Sequence, residues 1–235
     1  MDFPSVLAAA KRAQAAYVMN PAQSKKAFEA LGHTWLGIYQ NDSHQAIVSR
    51  DPVGVYLSIS GTRFSNGKLA DLFDDIDNDP IDVGGGALVT QGAYEGLDKV
   101  WAWARGLVPT GTVWNVCGHS LGGWRTRYTP LFLAPHEIGD LHSFESPKGG
   151  NAKLWEKIGP QLSSLVSVVN GRDLFVSFPF LGDWSHPPRD TIWLKSTGFQ
   201  VIQPNQFPGG RLISDHSIDL VVNRLQAIVG SGVPA

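Results

Sequence analysis

The chain has 235 residues, 43% of them hydrophobic, which is enough for one domain with a sizeable core. Its formal net charge is −2 and no long run of like charge occurs, so neither a nucleic-acid partner nor an anionic membrane surface is indicated. Cys117 is the single cysteine, which excludes an intramolecular disulfide and a cysteine-only metal site.

The first residues do not read as a signal peptide. Asp2 is acidic, and Lys11 and Arg12 interrupt the apolar run. The expectation is a cytoplasmic protein, or leaderless export of the phage-associated kind. Val6, Ala10, Ala13 and Tyr17 are spaced as one face of an amphipathic helix. A second short helix is predicted between Pro21 and Gly32. Three strand-like runs follow, HTWLGIYQ (33–40), QAIVSR (45–50) and VGVYLSIS (53–60), the first two separated by the turn-forming Asn41-Asp42-Ser43. Residues 64–90 are acidic and glycine-rich, with a short helix predicted around LADLFDDI (69–76).

From there strands and helices alternate. GAYEGLDKVWAWARGL (92–107) reads as a helix and TVWNVCG (112–118) as a strand. GGWRTRYTPLFLA (122–134) reads as a helix, LHSFES (141–146) as a strand, NAKLWEKIG (151–159) as a helix and SLVSVVN (164–170) as a strand. SDHSIDLVVNRLQAIVG (214–230) has helical apolar spacing. This order predicts an α/β fold: one domain over 1–235, a mostly parallel central sheet with helices on both faces, and early strands paired antiparallel.

In such a sheet, junctions between strand ends and helix starts collect binding and catalytic groups. Gly118-His119-Ser120-Leu121-Gly122 sits at one of them. The pattern G-x-S-x-G alone would arise roughly 0.2 times by chance in a chain of this composition, so its context matters. Strand-like residues precede it and helix-like residues follow, as a nucleophile elbow requires. A serine on so tight a turn adopts unfavourable backbone angles, and side chains two positions to either side would collide, so glycine suits both. The hydroxyl then stands clear of the sheet with a helix N-terminus aimed toward it.

Serine needs a base to take its proton, and the base needs an orienting acid. The expected order is Ser, then Asp or Glu, then His. Asp173 is the first carboxylate after the strand 166–169. Its other reading is an aspartate that caps a turn. Two histidines follow it. His186 lies in the proline-rich loop Ser185-His186-Pro187-Pro188. His216 lies where a polar loop enters the last helix and is favoured as the base. His119 is expected to point away from the nucleophile's line and to support it from outside. The oxyanion donors are expected to be the Leu121 N–H and Thr62, which follows the strand 57–60.

Four separated segments then coincide with one family. SISGTR (58–63), VCGHSLGG (116–123), SFESPKGGN (143–151) and VVNGRDLFVSFP (168–179), with DHSIDL (215–220) and GAYEGL (92–97), resemble the class 3 (fungal-type) triacylglycerol lipases, a branch of the α/β-hydrolase fold. The resemblance runs over roughly residues 1–229. It implies Ser120 as nucleophile, Asp173 as acid, His216 as base, and Thr62 and Leu121 as oxyanion donors. It also implies hydrolysis of acyl esters through an acyl-serine, with no metal and no cofactor. The substrate is expected to be an acyl ester or lipid, with transient contact to a lipid interface. An inactive lipase-fold interaction protein and a phospholipase A1-like enzyme stand as alternatives. One departure is Trp124-Arg125-Thr126-Arg127-Tyr128 after the elbow, with Pro130 soon after. A helical proline costs about 3 kcal/mol and kinks the helix.

Family members carry a cover between the SGT loop and the GAYEGL helix. Leu69, Leu72, Phe73 and Ile76 fall there on one helical face, as a lid within 64–80 or as an amphipathic surface helix. Phe175, Phe178, Phe180, Trp184 and Phe207 crowd the loops after Asp173 and are expected to wall an acyl pocket.

Overall fold

The computed structural model describes residues 2–41, 44–62, 79–180, 182–207 and 209–232. The predicted lid segment therefore lies mostly outside the described residues, as do two residues of the 41–43 turn.

Helix α1 (Phe3–Ala15) starts where Asp2 accepts a hydrogen bond from the Ser5 N–H at 3.2 Å. It buries Val6, Ala10 and Ala13, the stripe that the periodicity predicts. Tyr17 lies beyond the helix end. Helix α2 (Pro21–Ala30) is capped by Asn20, has Pro21 at its first position, and gives way to Gly32 at φ 83°. Strands β1 (Thr34–Gln40), β2 (Gln45–Arg50) and β3 (Val55–Ile59) form an antiparallel meander. A two-stranded ribbon of β4 (Pro80–Asp82) and β5 (Leu88–Thr90) follows.

The region predicted as one helix over 92–107 is two: α3 (Gln91–Tyr94) and α4 (Leu97–Arg105), divided at Gly96, whose φ of 79° is left-handed. Strand β6 (Trp114–His119) leads into α5 (Leu121–Arg127). The helix predicted over 122–134 stops at Arg127 instead of kinking. Pro130 has no N–H to give the Thr126 carbonyl, and the Thr129 hydroxyl donates to it at 2.8 Å. Thr129–Leu131 then form one 3₁₀ turn. Arg125 is buried with its guanidinium on the Ala93 and Gly92 carbonyls, and Arg127 is buried on the Pro147 carbonyl at 2.8 Å. Burial pushes the Arg127 pKa down to about 9.

Strands β7 (Ile138–Phe144) and β8 (Leu165–Asn170) flank helix α6 (Ala152–Ile158). Two short strands that the sequence reading does not anticipate, β9 (Thr191–Leu194) and β10 (Phe199–Ile202), extend the sheet edge. Helix α7 (Ile218–Gly230) closes the described chain.

The main sheet has the order β1-β2-β3-β6-β7-β8-β9-β10. Pairing is parallel from β3 through β9 and antiparallel at both ends. Helices cover both faces, as expected. On one face, Trp101 of α4, Trp124 of α5 and Trp155 of α6 bury Trp114, Val116 and Leu141 of the sheet. On the other, α1 and α7 enclose Cys117, Phe144, Val168 and Ile192. Register places Ile59 beside Gly118, Gly118 beside Ser143, and Phe144 beside Val168. The segments that leave β3, β6, β7 and β8 therefore emerge together at one edge of the sheet, where parallel strands present their carboxyl ends.

His142 on β7 is buried and stacked on Phe144 at 6.4 Å. Burial, and then the Arg12 charge, hold its pKa down at about 4. The folded protein keeps this imidazole neutral at pH values where the unfolded chain protonates it. Its contribution is complete above pH 6.5 and is lost as pH falls toward 4. Denaturant unfolding at pH 6.5 and 4.5 should show His142→Gln losing less stability on acidification than the wild type. The difference should be on the order of 2 kcal/mol.

Candidate active site

Ser120 joins β6 to α5 with φ 59° and ψ −126°, a conformation that side chains rarely adopt. Its N–H donates to the Phe144 carbonyl at 2.9 Å, and its own carbonyl accepts the Trp124 N–H at 3.0 Å. A Cβ on Gly118 would stand 2.3 Å from the Gly122 carbonyl carbon, and one on Gly122 would stand 2.1 Å from the Ile59 carbonyl oxygen. The two glycines of G-x-S-x-G are thus required by backbone-to-backbone packing of the turn on itself and on β3. Leu121, the next residue, is the first of α5, where N–H groups have no intrahelical acceptor.

Asp173 and His216 are 43 residues apart, and the chain is laced together between them. The Asn170 side-chain amide donates to the Asp215 carbonyl at 2.7 Å, and the Arg172 N–H donates to the Asp215 carboxylate at 2.7 Å. The Arg211 and Leu212 N–H groups reach the Arg172 carbonyl at 2.8 and 2.9 Å. Gly171 has φ 51°, and a Cβ there would lie 2.3 Å from Asp215 Oδ2. Ser217 caps α7 by accepting from the Leu220 N–H, so His216 leaves the loop just before the helix.

These constraints align three side chains. His216 Nε2 lies 2.8 Å from Ser120 Oγ, and His216 Nδ1 lies 2.8 Å from Asp173 Oδ2. The other carboxylate oxygen of Asp173 accepts the Phe175 N–H at 2.9 Å, which fixes the acid's orientation. Asp173 is wholly buried, and that burial raises its pKa while His216 offsets part of the rise. The Phe175 ring lies against the imidazole with centroids 4.3 Å apart. Such a line can carry a proton from a hydroxyl to an imidazole whose positive charge the acid then stabilises.

His186, the other candidate base, is elsewhere. It is held between Arg127 at 3.0 Å and the Val176 carbonyl at 2.9 Å. Burial, and then the Arg127 charge, lower its pKa to about 3. Thr62 lies at the cavity beside Ser120, and its buried hydroxyl oxygen has no hydrogen-bond partner among the described residues. A Cβ on Gly61 would meet Ser120 Cβ at 2.9 Å, so this loop packs directly on the elbow.

The five predicted aromatics lie apart from the cavity at Ser120. A cavity of about 440 Å³ opens at Ser120 and His216, lined by Gln14, Tyr17, Met19, Thr62, Ile218 and Asp219 among others. None of the five predicted aromatics lines it. Phe175 instead braces His216. Phe178 is core, edge-on to Trp124, and Phe180 leans on it while 54% exposed. Trp184 faces a separate cavity with Lys148 and His186. Phe207 packs edge-on to Trp193. A run of aromatics after Asp173 supplies packing for long loops and a prop for His216.

Sequence reasoning passes over two further polar groups. Tyr17 Oη lies 2.7 Å from His119 Nδ1, and Glu145 Oε2 lies 2.8 Å from His119 Nε2. Glu145 follows β7 as Asp173 follows β8, so the signal of a carboxylate at a strand end was present. His119 turns from Ser120's line as expected, yet its ring stays 4.8 Å from that of His216. Among the described residues, His119, Glu145 and His216 form the one group that could hold a metal ion, with ligand atoms within 4.8 Å of one another. Each of the three already shares a hydrogen bond within the protein.

No family model and no curated protein sequence matches the chain. Solved structures do. Lipase II from Rhizopus niveus superposes with a TM-score of 0.71 at 18% identity, over 91% of this chain and 92% of that one. A lipase from Rhizopus microsporus var. chinensis gives 0.69 at 17%, over 91% and 85%. A triacylglycerol lipase from Penicillium expansum gives 0.61 at 16%, over 86% and 82%. The chain thus has the α/β fold of the fungal triacylglycerol lipases, the one that the sequence resemblance implies.

Proposed function

We propose that the chain is a serine carboxylic-ester hydrolase of the lipase or esterase class. The reading rests above all on the Ser120–His216–Asp173 line, with both hydrogen bonds at 2.8 Å, built around a serine held at φ 59°. Ser120 Oγ attacks the ester carbonyl carbon while His216 Nε2 takes the hydroxyl proton. Asp173 holds the imidazole by Nδ1 and offsets its positive charge. The carbonyl oxygen becomes an oxyanion facing the Leu121 N–H and Thr62, groups fixed before the charge appears. The intermediate collapses, and His216 returns its proton to the departing alcohol oxygen. Water then attacks the acyl-serine with His216 again as base, and as the second intermediate collapses His216 returns the proton to Ser120 Oγ and the carboxylic acid leaves.

The cavity, about 440 Å³, has the size of an ordinary small-molecule site. Met19 and Ile218 supply apolar surface, while Gln14 and Asp219 share a hydrogen bond of 2.6 Å at the wall.

Hydrolysis of a chromogenic short-chain ester tests the assignment. Ser120→Ala should lower kcat by about a millionfold. Asp173→Asn should lower it by about 10⁴-fold with the chain still folded. Retained turnover in Ser120→Ala refutes the mechanism. His216→Ala should abolish turnover, whereas His186→Gln should lower the melting temperature and leave kcat near the wild-type value. The opposite pattern would move the base to His186.

A further inference from the structure

Behind the Ser120–His216–Asp173 line runs a second chain of polar groups that the proposed reaction does not use. Glu145 is wholly buried and has φ 48°, the left-handed region that residues with side chains avoid. Such a conformation persists only where the surroundings impose it. Here the Glu145 N–H donates to the Val168 carbonyl at 2.8 Å, which continues the β7–β8 pairing and turns the side chain under the elbow. Its Oε2 lies 2.8 Å from His119 Nε2, and His119 Nδ1 lies 2.7 Å from Tyr17 Oη. The Gly61 backbone packs directly against that same phenolic oxygen. Gly61 immediately precedes Thr62.

Relative acidity gives this chain a direction. A phenol is a stronger acid than a neutral imidazole N–H, so Tyr17 Oη sends its proton to His119 Nδ1. His119 then carries its proton on Nε2 and gives it to Glu145 Oε2, which has lone pairs whether or not the other oxygen is protonated. Neutral groups suit the site. Burial, and then His216, hold His119 well below the ordinary imidazole range, and burial, and then Asp173, push the Glu145 carboxyl well up. The loop at the far end has no slack. A Cβ on Gly61 would stand 2.3 Å from Tyr17 Oη and 2.8 Å from the His119 carbonyl oxygen.

We propose that Glu145, acting through His119 and Tyr17, positions the oxyanion loop, so that Thr62 stands at the right distance from Ser120. Glu145 and Tyr17 are positioning residues: they touch neither Ser120 Oγ nor the proton that it loses. The inference rests on the ester-hydrolase reading, since an oxyanion loop has meaning only there.

Steady-state hydrolysis of a chromogenic ester by the full chain tests it in Tyr17→Phe, Glu145→Leu and Glu145→Gln, together with the affinity of a trifluoromethyl ketone that forms a tetrahedral adduct with serine. Thermal unfolding and titration of Ser120 with a fluorophosphonate count the folded, reactive sites. Tyr17→Phe should lower kcat about tenfold or more, with KM changed less than about twofold, and should weaken the ketone adduct by the same factor. Glu145→Leu should behave alike. Glu145→Gln, whose amide oxygen still accepts from His119, should recover most of that loss. The inference is overturned if Tyr17→Phe keeps the wild-type kcat and ketone affinity, or if Gln loses as much as Leu. Should Glu145→Leu fail to fold, Tyr17→Phe, which deletes one oxygen from a cavity wall, decides the matter. A wild type that hydrolyses no ester overturns the parent reading as well; an active wild type beside an unimpaired Tyr17→Phe overturns this inference alone.

Discussion

The molecule is organised around one steric constraint, the turn at Ser120. A side-chain-bearing residue held at φ 59° is unfavourable in isolation, and two close backbone approaches enforce it. Gly118 meets Gly122 across the turn, and Gly122 meets the carbonyls of Ile59, the last residue of β3, and of Ser60. Because these contacts are backbone to backbone, no rotamer change relieves a substitution. The same contacts set α5 against β3, bring Gly61 onto Ser120 and leave the hydroxyl standing above the carboxyl edge of the sheet.

The rest of the site is held by a different device. Asp173 and His216 sit on loops, which are ordinarily the mobile parts of a fold. Here the two loops run side by side as one hydrogen-bonded ribbon, with Asp215 accepting from both Asn170 and Arg172. The Ser217 cap then ties the ribbon to α7, whose apolar face is buried against α1 and the sheet. Asp173 and His216 are thereby fixed by secondary-structure-like bonding and by the core, and their alignment with Ser120 follows from strand register. Neither of the neutral buried imidazoles at positions 119 and 186 meets Ser120 Oγ: His119 lies beside His216, and His186 lies apart from the site. Each has both ring nitrogens engaged by a partner.

The differences between reading and structure share a cause. Aromatics at 175–207 are a compositional signal, and composition does not say which side of a loop faces the cavity. Phe175 turns toward His216 and Phe178 toward Trp124. The charged run after the elbow, a departure from the family pattern, is buried because its partners come from far along the chain. Carbonyls at Gly92 and Ala93 accept from Arg125, and the Pro147 carbonyl accepts from Arg127, and only the folded chain brings them there. Strands β9 and β10 are four residues each, too short for periodicity to separate them from loop.

What the sequence determined by itself is whatever depends on local sterics and period. The stripe of α1, the alternation of strands and helices, the glycines flanking Ser120 and the chain order of Ser120, Asp173 and His216 are all of that kind. The resemblance of several separated segments to one family also pointed to the fold. Tertiary structure alone decided which histidine meets the serine, where the cavity lies and what walls it. It also decided that Tyr17 and Glu145 join His119, because those outcomes depend on distances between residues far apart in the chain. No local rule encodes a contact between position 17 and position 119; it exists because α1 packs beneath β6 at the edge where the elbow turns.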